Sequence, residues 1–366
     1  MSIKVAKSNA DISQIGPELA AELGDAKVVI YFASSKFDPA RVAKAVAAAF
    51  PKSKTFGCTT AGELVTGEMA KGSVVAMGIG SDLVDRALVG VVEGIKDSVD
   101  GIDKLFADWE KRLGKPLMDV DPERWVGIVL ADGLAGAEER VMDRLGDLTN
   151  VTFIGGSAGD DLAFKQTWVA SDGKSVTDAI VLALLECPRG FDIIKTQSFH
   201  PTHKFLVPTR VNKATREVEE FDGKPAVNAY AEALGVPVEK LPEQFMAHPV
   251  GLLIGGEPFV RSPQQIVGTS VRFYCAVDQG VKLAILDSTD IVAETAADLR
   301  AALARNGGGS GLLNCNCILR TLELESKGQT EAYGKVFTDV PTAGFSTYGE
   351  EYVGHINQTA TMLLFR

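Results

Sequence analysis

The sequence predicts an α/β fold of mixed, strand-rich sheets flanked by helices, and three observations carry that expectation. Val28–Thr59 (VVIYFASSKFDPARVAKAVAAAFPKSKTFGCT) lies without gaps over Val126–Ser157 (VGIVLADGLAGAEERVMDRLGDLTNVTFIGGS), an offset of 98 residues. One deletion then sets Ala61-Gly62-Glu63 on Ala158-Gly159-Asp160, so the repeats span 28–64 and 126–162. Each copy reads as an apolar strand, an amphipathic helix, a second strand, and a sharp turn of small residues ending in an acid. The second half of the chain is rich in short apolar runs separated by Gly, Pro and Asp, which suit strands and turns.

Taken in order, Lys27–Ser34 alternates too little for a half-exposed strand and reads as buried on both faces. Asp38-Pro39 starts a helix, with Asp as N-cap and Pro in the first turn, and Pro51 stops it. Strand Lys54–Cys58, the turn Thr59–Glu63, strands Gly72–Gly80 and Asp85–Val92, and helix Gly101–Leu113 follow. The second copy supplies strand Trp125–Ala131, helix Ala137–Leu145, strand Thr152–Gly156 and the turn Gly156–Asp161. Strands at Lys165–Ala170 and Ala179–Glu186 continue it, and Phe191–Pro208 adds one or two more.

A boundary near residue 218 divides the chain into 1–218, which holds both repeats, and a smaller α/β half, 219–366. The second half reads as helix to Leu234, strands Val250–Gly255, Ser270–Val277 and Lys282–Asp287, helix Ile291–Asn306, then strands Gly311–Ile318 and Thr359–Phe365. Between the last two, Gly344–Glu351 (GFSTYGEE) again sets small residues and acids before an apolar strand, so a third unit of the same kind is expected there.

Composition narrows the classes of function. The chain has 366 residues, 46% apolar and 23% charged, which suits a well-cored globular protein of two ordinary domains. A net charge of −11 without a basic run argues against nucleic acid and acidic membrane surfaces as partners. The N-terminus has no apolar signal core, and no apolar run approaches the roughly 18 residues that cross a bilayer. Five cysteines without zinc spacing fit free thiols in a reducing compartment, so a cytoplasmic location is expected.

Several residue groups could carry chemistry. Cys58, Thr59, Thr60 and Glu63 place a thiol, hydroxyls and a carboxylate at a strand end, where exposed backbone N–H groups suit an anionic ligand. Ser157 and Asp160 occupy the matching turn of the second copy. Asn316 lies on strand Gly311–Ile318 and Arg320 just past it, where Arg320 could grip either a ligand carboxylate or an acid of the GFSTYGEE turn, Glu350 or Glu351. Tyr348 and Glu350 complete the ligand-binding candidates. Cys315 and Cys317 share one strand face but lack further metal ligands. His200 could serve a non-covalent haem as its axial imidazole, since no C-x-x-C-H attachment exists. Gly155-Gly156-x-x-Gly159 lacks the lysine of a phosphate loop, and no catalytic constellation is complete, so an enzyme is not expected.

Three of these segments in order, GCTTAGEL (57–64), CNCILR (315–320) and AGFSTYGEEY (343–352), resemble the FIST family of paired N- and C-terminal FIST domains in bacteria and eukaryotes. The resemblance implies an intracellular sensory domain that binds a small ligand and signals through a separate partner. YFASSKFDP, the stretch from Pro208 to Gly235 and YGEEYVGHINQT look most like a haem-binding, nitric-oxide-sensing bacterial subgroup (the NosP group) paired with a histidine kinase. On that resemblance His200, in Phe199-His200-Pro201-Thr202, would ligate haem b. The alternatives are a haem-free sensor of amino acids or other small molecules, and an enzyme using Cys58. A homo-oligomer is compatible with each.

Overall fold

The computed structural model describes residues 3–366. Three six-stranded sheets surround one shared apolar core, and each is built on a parallel pair. The pairs are Val28–Ser34 with Lys54–Thr60, Trp125–Ala131 with Phe153–Ser157, and Gly311–Cys317 with Thr342–Thr347. A helix joins the first pair (Pro39–Ala49) and the second (Glu138–Leu148), whereas two short helices, Ile318–Ser326 and Thr330–Lys335, join the third. An antiparallel strand flanks the other side of each leading strand: Val74–Ile79, Ala179–Glu186 and Thr359–Phe365. The repeat is therefore threefold.

Strand alternation explains why the leading strands read as apolar throughout. Val28, Ile30 and Phe32 face the shared core, while Val29, Tyr31 and Ala33 meet the outer helices Ile12–Leu23 and Pro39–Ala49. The second unit repeats this, with Val126, Ile128 and Leu130 inward and Val129 and Ala131 toward helices Gly101–Leu113 and Glu138–Leu148. Phe32 of the first unit stacks on Phe345 of the third at 4.5 Å in the centre.

A close approach recurs in every unit. A Cβ on Gly57, Gly155 or Gly344 would lie 2.0, 1.7 or 2.0 Å from the carbonyl oxygen of Tyr31, Val129 or Asn314 on the leading strand. Only glycine permits that spacing.

After its corner each unit sends a short hairpin into its neighbour's sheet. Glu63–Val65 and Glu68–Ala70 join the third unit, Val169–Ser171 and Lys174–Val176 the first, and Glu350–Tyr352 with His355–Ile356 the second. The exchange closes a ring. The stretch Thr59–Glu63, expected as a turn, is thus strand to Thr60 and again from Glu63; of Lys165–Ala170 only the end is strand.

The third unit is interrupted. Its edge strand, Phe191–Gln197, pairs with Thr359–Phe365, and its outer helix Ile291–Asn306 follows almost a hundred residues later. Between them Phe199–Ser288 folds as two small sheets around helix Ala226–Leu234, with a core of its own. Position 218 lies inside this inserted module, on strand Glu217–Phe221.

Candidate functional site

The three corners meet and lace together at the centre of the ring. The Ala61 N–H donates to the Ser346 carbonyl (3.1 Å) and the Ser346 N–H to Gly62 (2.8 Å). Ser157 donates to Gly349 and Tyr348 back to Ser157, while Gly159 donates to Thr59. A Cβ on Gly159 would lie 2.7 Å from the Ala61 nitrogen, so the corners leave no space between them.

The acids there hold strand ends. Glu63 accepts from the Thr60 hydroxyl and from the Ser73 N–H and hydroxyl (3.0 and 2.7 Å). Glu350 repeats this with Thr347 (2.7 Å) and with the Thr359 N–H and hydroxyl (3.2 and 2.7 Å). In the second unit Asp132 does the same work for Thr167 and the Asp178 N–H. That leaves Asp160 free to accept from the N–H groups of Phe164, Lys165 and Gln166 (2.9, 2.7 and 3.0 Å) and from the Tyr348 hydroxyl. Burial pushes Glu350 up to about 7 against the opposing Thr347 and Thr359 bonds. Burial also opposes charge on Asp160, but the tyrosine and backbone donors outweigh it and keep this carboxyl below its ordinary range.

The enclosed space lies to one side. A cavity of about 420 Å³ opens between the second unit, the third unit and the inserted module. Ile318, Leu319 and Leu322 with Phe273 and Tyr274 make its apolar surface, and Leu162, Phe164 and Tyr348 form a rim. The Phe164 and Tyr348 rings stack at 5.1 Å, and the Leu162 N–H donates to the Tyr348 hydroxyl (2.8 Å). Asp161, Leu162 and Phe164 all have left-handed backbone, which costs non-glycine residues energy, and Leu162 and Phe164 remain exposed.

The polar wall is built around Arg216. Arg216, itself left-handed at a hairpin turn, reaches Glu138 (2.9 Å) and Glu139 (2.7 Å) at the start of helix Glu138–Leu148 and donates to the Tyr274 carbonyl. The acids sit where the helix dipole favours negative charge. Glu139 also accepts from the Ala276 N–H; burial opposes its charge, yet His355, Arg216 and this bond hold it down at about 2. The Ser157 hydroxyl bridges Glu351 (2.7 Å) and Glu138 (3.3 Å), and His355 lies 3.6 Å from Glu351. His355 is fully buried; burial works against its proton, but Glu351, Glu138 and Glu139 hold it above the ordinary imidazole range. Arg272 stands on the wall paired with Glu217 (2.6 Å).

The ten candidate ligand residues therefore divide. Tyr348 lines the cavity, Asp160 and Ser157 touch its wall through hydrogen bonds, and Cys58, Thr59, Thr60, Glu63 and Glu350 are enclosed in the laced corners. Burial pushes the Cys58 thiol well up, the opposite of an activated nucleophile. Arg320 sits on a helix rather than beside the strand and meets neither Glu350 nor Glu351: its guanidinium donates to Asn316 Oδ1 (3.0 Å) and Thr295 Oγ1 (2.7 Å). Cys315 and Cys317 are buried free thiols, and among the described residues no group of three or more His, Cys, Asp or Glu could hold a metal ion. The residues that sequence reasoning missed are Arg216, Glu138, Glu139 and His355. Their local sequences carry no motif, because the insertion's hairpin aims Arg216 across the fold.

His200 lies on strand Phe199–Leu206, opposite Asp287, with its side chain 61% exposed and Nε2 4.0 Å from the Asp287 carboxylate. The nearby space, about 350 Å³, has Leu234, Val236 and Ile285 beside Thr202, Lys204, His248 and Asp287 in its wall, but His200 does not line it. A haem needs its proximal imidazole enclosed between apolar surfaces. The residues at His200 do not fit that group.

This arrangement defines a chain of laced α/β repeats with a cavity of small-molecule size at one side. The FIST N domain matches residues 27–224 and the FIST C domain residues 226–352, and the chain belongs to this family. FIST domains are associated with the sensing of small ligands in signal transduction. The chain is also similar to the uncharacterized protein MJ1623 of Methanocaldococcus jannaschii, 25% identical over 309 residues covering 79% of this chain and 59% of that one. It thus spans about three-fifths of the relative's length. Among the described residues no helix is long and apolar enough to cross a membrane.

Proposed function

We propose that the protein is a sensor whose ligand, a small organic molecule with an apolar body and a polar head, occupies the cavity between the second unit, the third unit and the inserted module. The observation that carries this reading is the composition of the cavity wall. Its apolar surface comes from Ile318, Leu319, Leu322 and Phe273, and its polar side includes Arg216 and Glu138, whose pairing, with Glu139 behind them, ties the module to the second unit. A volume of about 420 Å³ lies within the range of small-molecule sites. Paired charges of both signs suit a zwitterion such as an amino acid better than a simple anion.

A ligand that contacts this network acts on the seat of the module, and any preference for one seat shifts the population presented to a partner. A separate signalling protein, such as a histidine kinase, would read that shift. The poor surroundings of His200 favour this haem-free reading over nitric oxide sensing, and the enclosed Cys58 disfavours a thiol enzyme.

The test has two arms. Protein produced with haem available should be colourless, and a thermal-shift screen should find stabilisers of one chemical class. A Soret band that disappears in His200→Ala would overturn the reading in favour of haem.

A further inference from the structure

The proposed ligand cavity has a neighbour. A second pocket, of about 180 Å³, lies between the inserted module and the third unit, and Gln264, Tyr274 and Leu319 line both spaces. Phe245, Met246 and Pro263 of the module add to its wall. Apolar packing is continuous from one space to the other. Ile318 and Leu319 pack with Leu322 and Tyr348 on the side of the first, and with Tyr274 and Met246 on the side of the second.

The two spaces differ in chemistry. Glu138, Arg216, Arg272 and His355 line the first, whereas no Asp, Glu, Lys, Arg or His lines the second. Gln358, buried in the wall of the second, is spent within the chain: its Oε1 accepts from the Ser262 hydroxyl (2.7 Å) and its Nε2 donates to the Met246 carbonyl (2.9 Å). Met246, unbranched and polarizable, adapts to the shape of an apolar guest. The Tyr274 backbone is fixed at both ends, its N–H donating to the Ser262 carbonyl (3.0 Å) and its carbonyl accepting from Arg216 (2.8 Å). Arg216, on the polar side of the first space, thus also holds the wall that the two spaces share.

We infer that the ligand is an amphiphile whose zwitterionic head lies beside Arg216 and Glu138 and whose flexible apolar chain runs along Leu319 and Tyr274 to end against Met246 and Phe245. This rests on the cavity proposed above as the ligand site and adds the length of the ligand. A compact polar molecule leaves the second pocket unfilled and forgoes the apolar burial it offers. Met246 is then the residue that sets how long a chain is accepted.

The experiment titrates the full chain with α-amino acids bearing straight alkyl side chains, from 2-aminobutanoate to 2-aminodecanoate, and reads affinity from the rise in melting temperature. Affinity should grow about three- to fourfold for each methylene that enters the second pocket. Met246→Trp, whose indole occupies that pocket, should bind the short members as the native chain does and lose the gain of the long ones. Met246→Ala, which makes the pocket roomier, should move the optimum to longer chains. Affinity independent of chain length, no response to any member, or a length dependence unchanged in the Met246 variants overturns the inference. Leu322→Trp separates it from the cavity reading. Stabilisation that this variant abolishes, but that does not depend on length, leaves the first cavity as the site and removes only the tail. Stabilisation unaffected by Leu322→Trp overturns both.

Discussion

Glu350 shows how a buried carboxylate in the corner sets the pH response. Burial raises it to about 7, above the roughly 4.3 of an unfolded chain. The native state therefore keeps a proton that the unfolded state releases between those values. Its contribution is complete below about pH 4 and is lost as pH rises through 7, a decline of roughly 3 kcal/mol. Glu63, Glu351 and His355 are also raised and act in the same direction. Glu139, held at about 2, works the other way: its stability is present above about pH 4.3 and fades as pH falls toward 2. Urea midpoints across pH should thus peak in the mildly acid range, and Glu350→Gln should flatten much of the fall toward neutrality. An unchanged slope in that variant would show that Glu350 is not its source. Removing Arg216 (Arg216→Met) leaves Glu138 and Glu139 without their cation and should cost about 3 kcal/mol, read as a lower urea midpoint. All five thiols are buried, so a thiol reagent should label none of them until the chain unfolds.

At the scale of elements, the glycines of the second strands are the sharpest test of the threefold repeat. Gly155→Ala would place a methyl 1.7 Å from the Val129 carbonyl oxygen, so the parallel pair must separate. The expected loss is about 2–3 kcal/mol or more, measured by chemical denaturation. Gly146→Ala, on a helix with nothing within 4 Å, should be neutral or slightly stabilising. Much of this level was legible beforehand. The 98-residue repeat carried the strand–helix–strand order, and the GFSTYGEE segment marked the third unit through its small residues and acids. Hairpin exchange was not legible, because three-residue strands pair by tertiary register rather than by local pattern. Within the segment Gly344–Glu351 that read as a turn, the part up to Thr347 is strand, because glycine and hydroxyl residues there lie in a strand buried along its length.

For the whole molecule, the ring of three units forms a shared-core frame, and the inserted module closes one side of its cavity. The corners that looked like binding-site walls in sequence are the ring's internal lacing, since their donors and acceptors are spent on one another. Tyr348 is the residue that serves both, bonded to Asp160 in the lacing and stacked with Phe164 at the rim. The sequence could not show the cavity because Arg216 and Glu138 are distant in the chain and converge only when the module folds back. The central claim is tested most directly by thermal-shift screening of the native chain beside Leu322→Trp, whose indole fills the apolar side of the cavity. Stabilisation of the native chain by one class of small molecule, lost in Leu322→Trp while both proteins melt cooperatively, is the predicted result. Equal stabilisation of the two would place the ligand elsewhere and contradict the account.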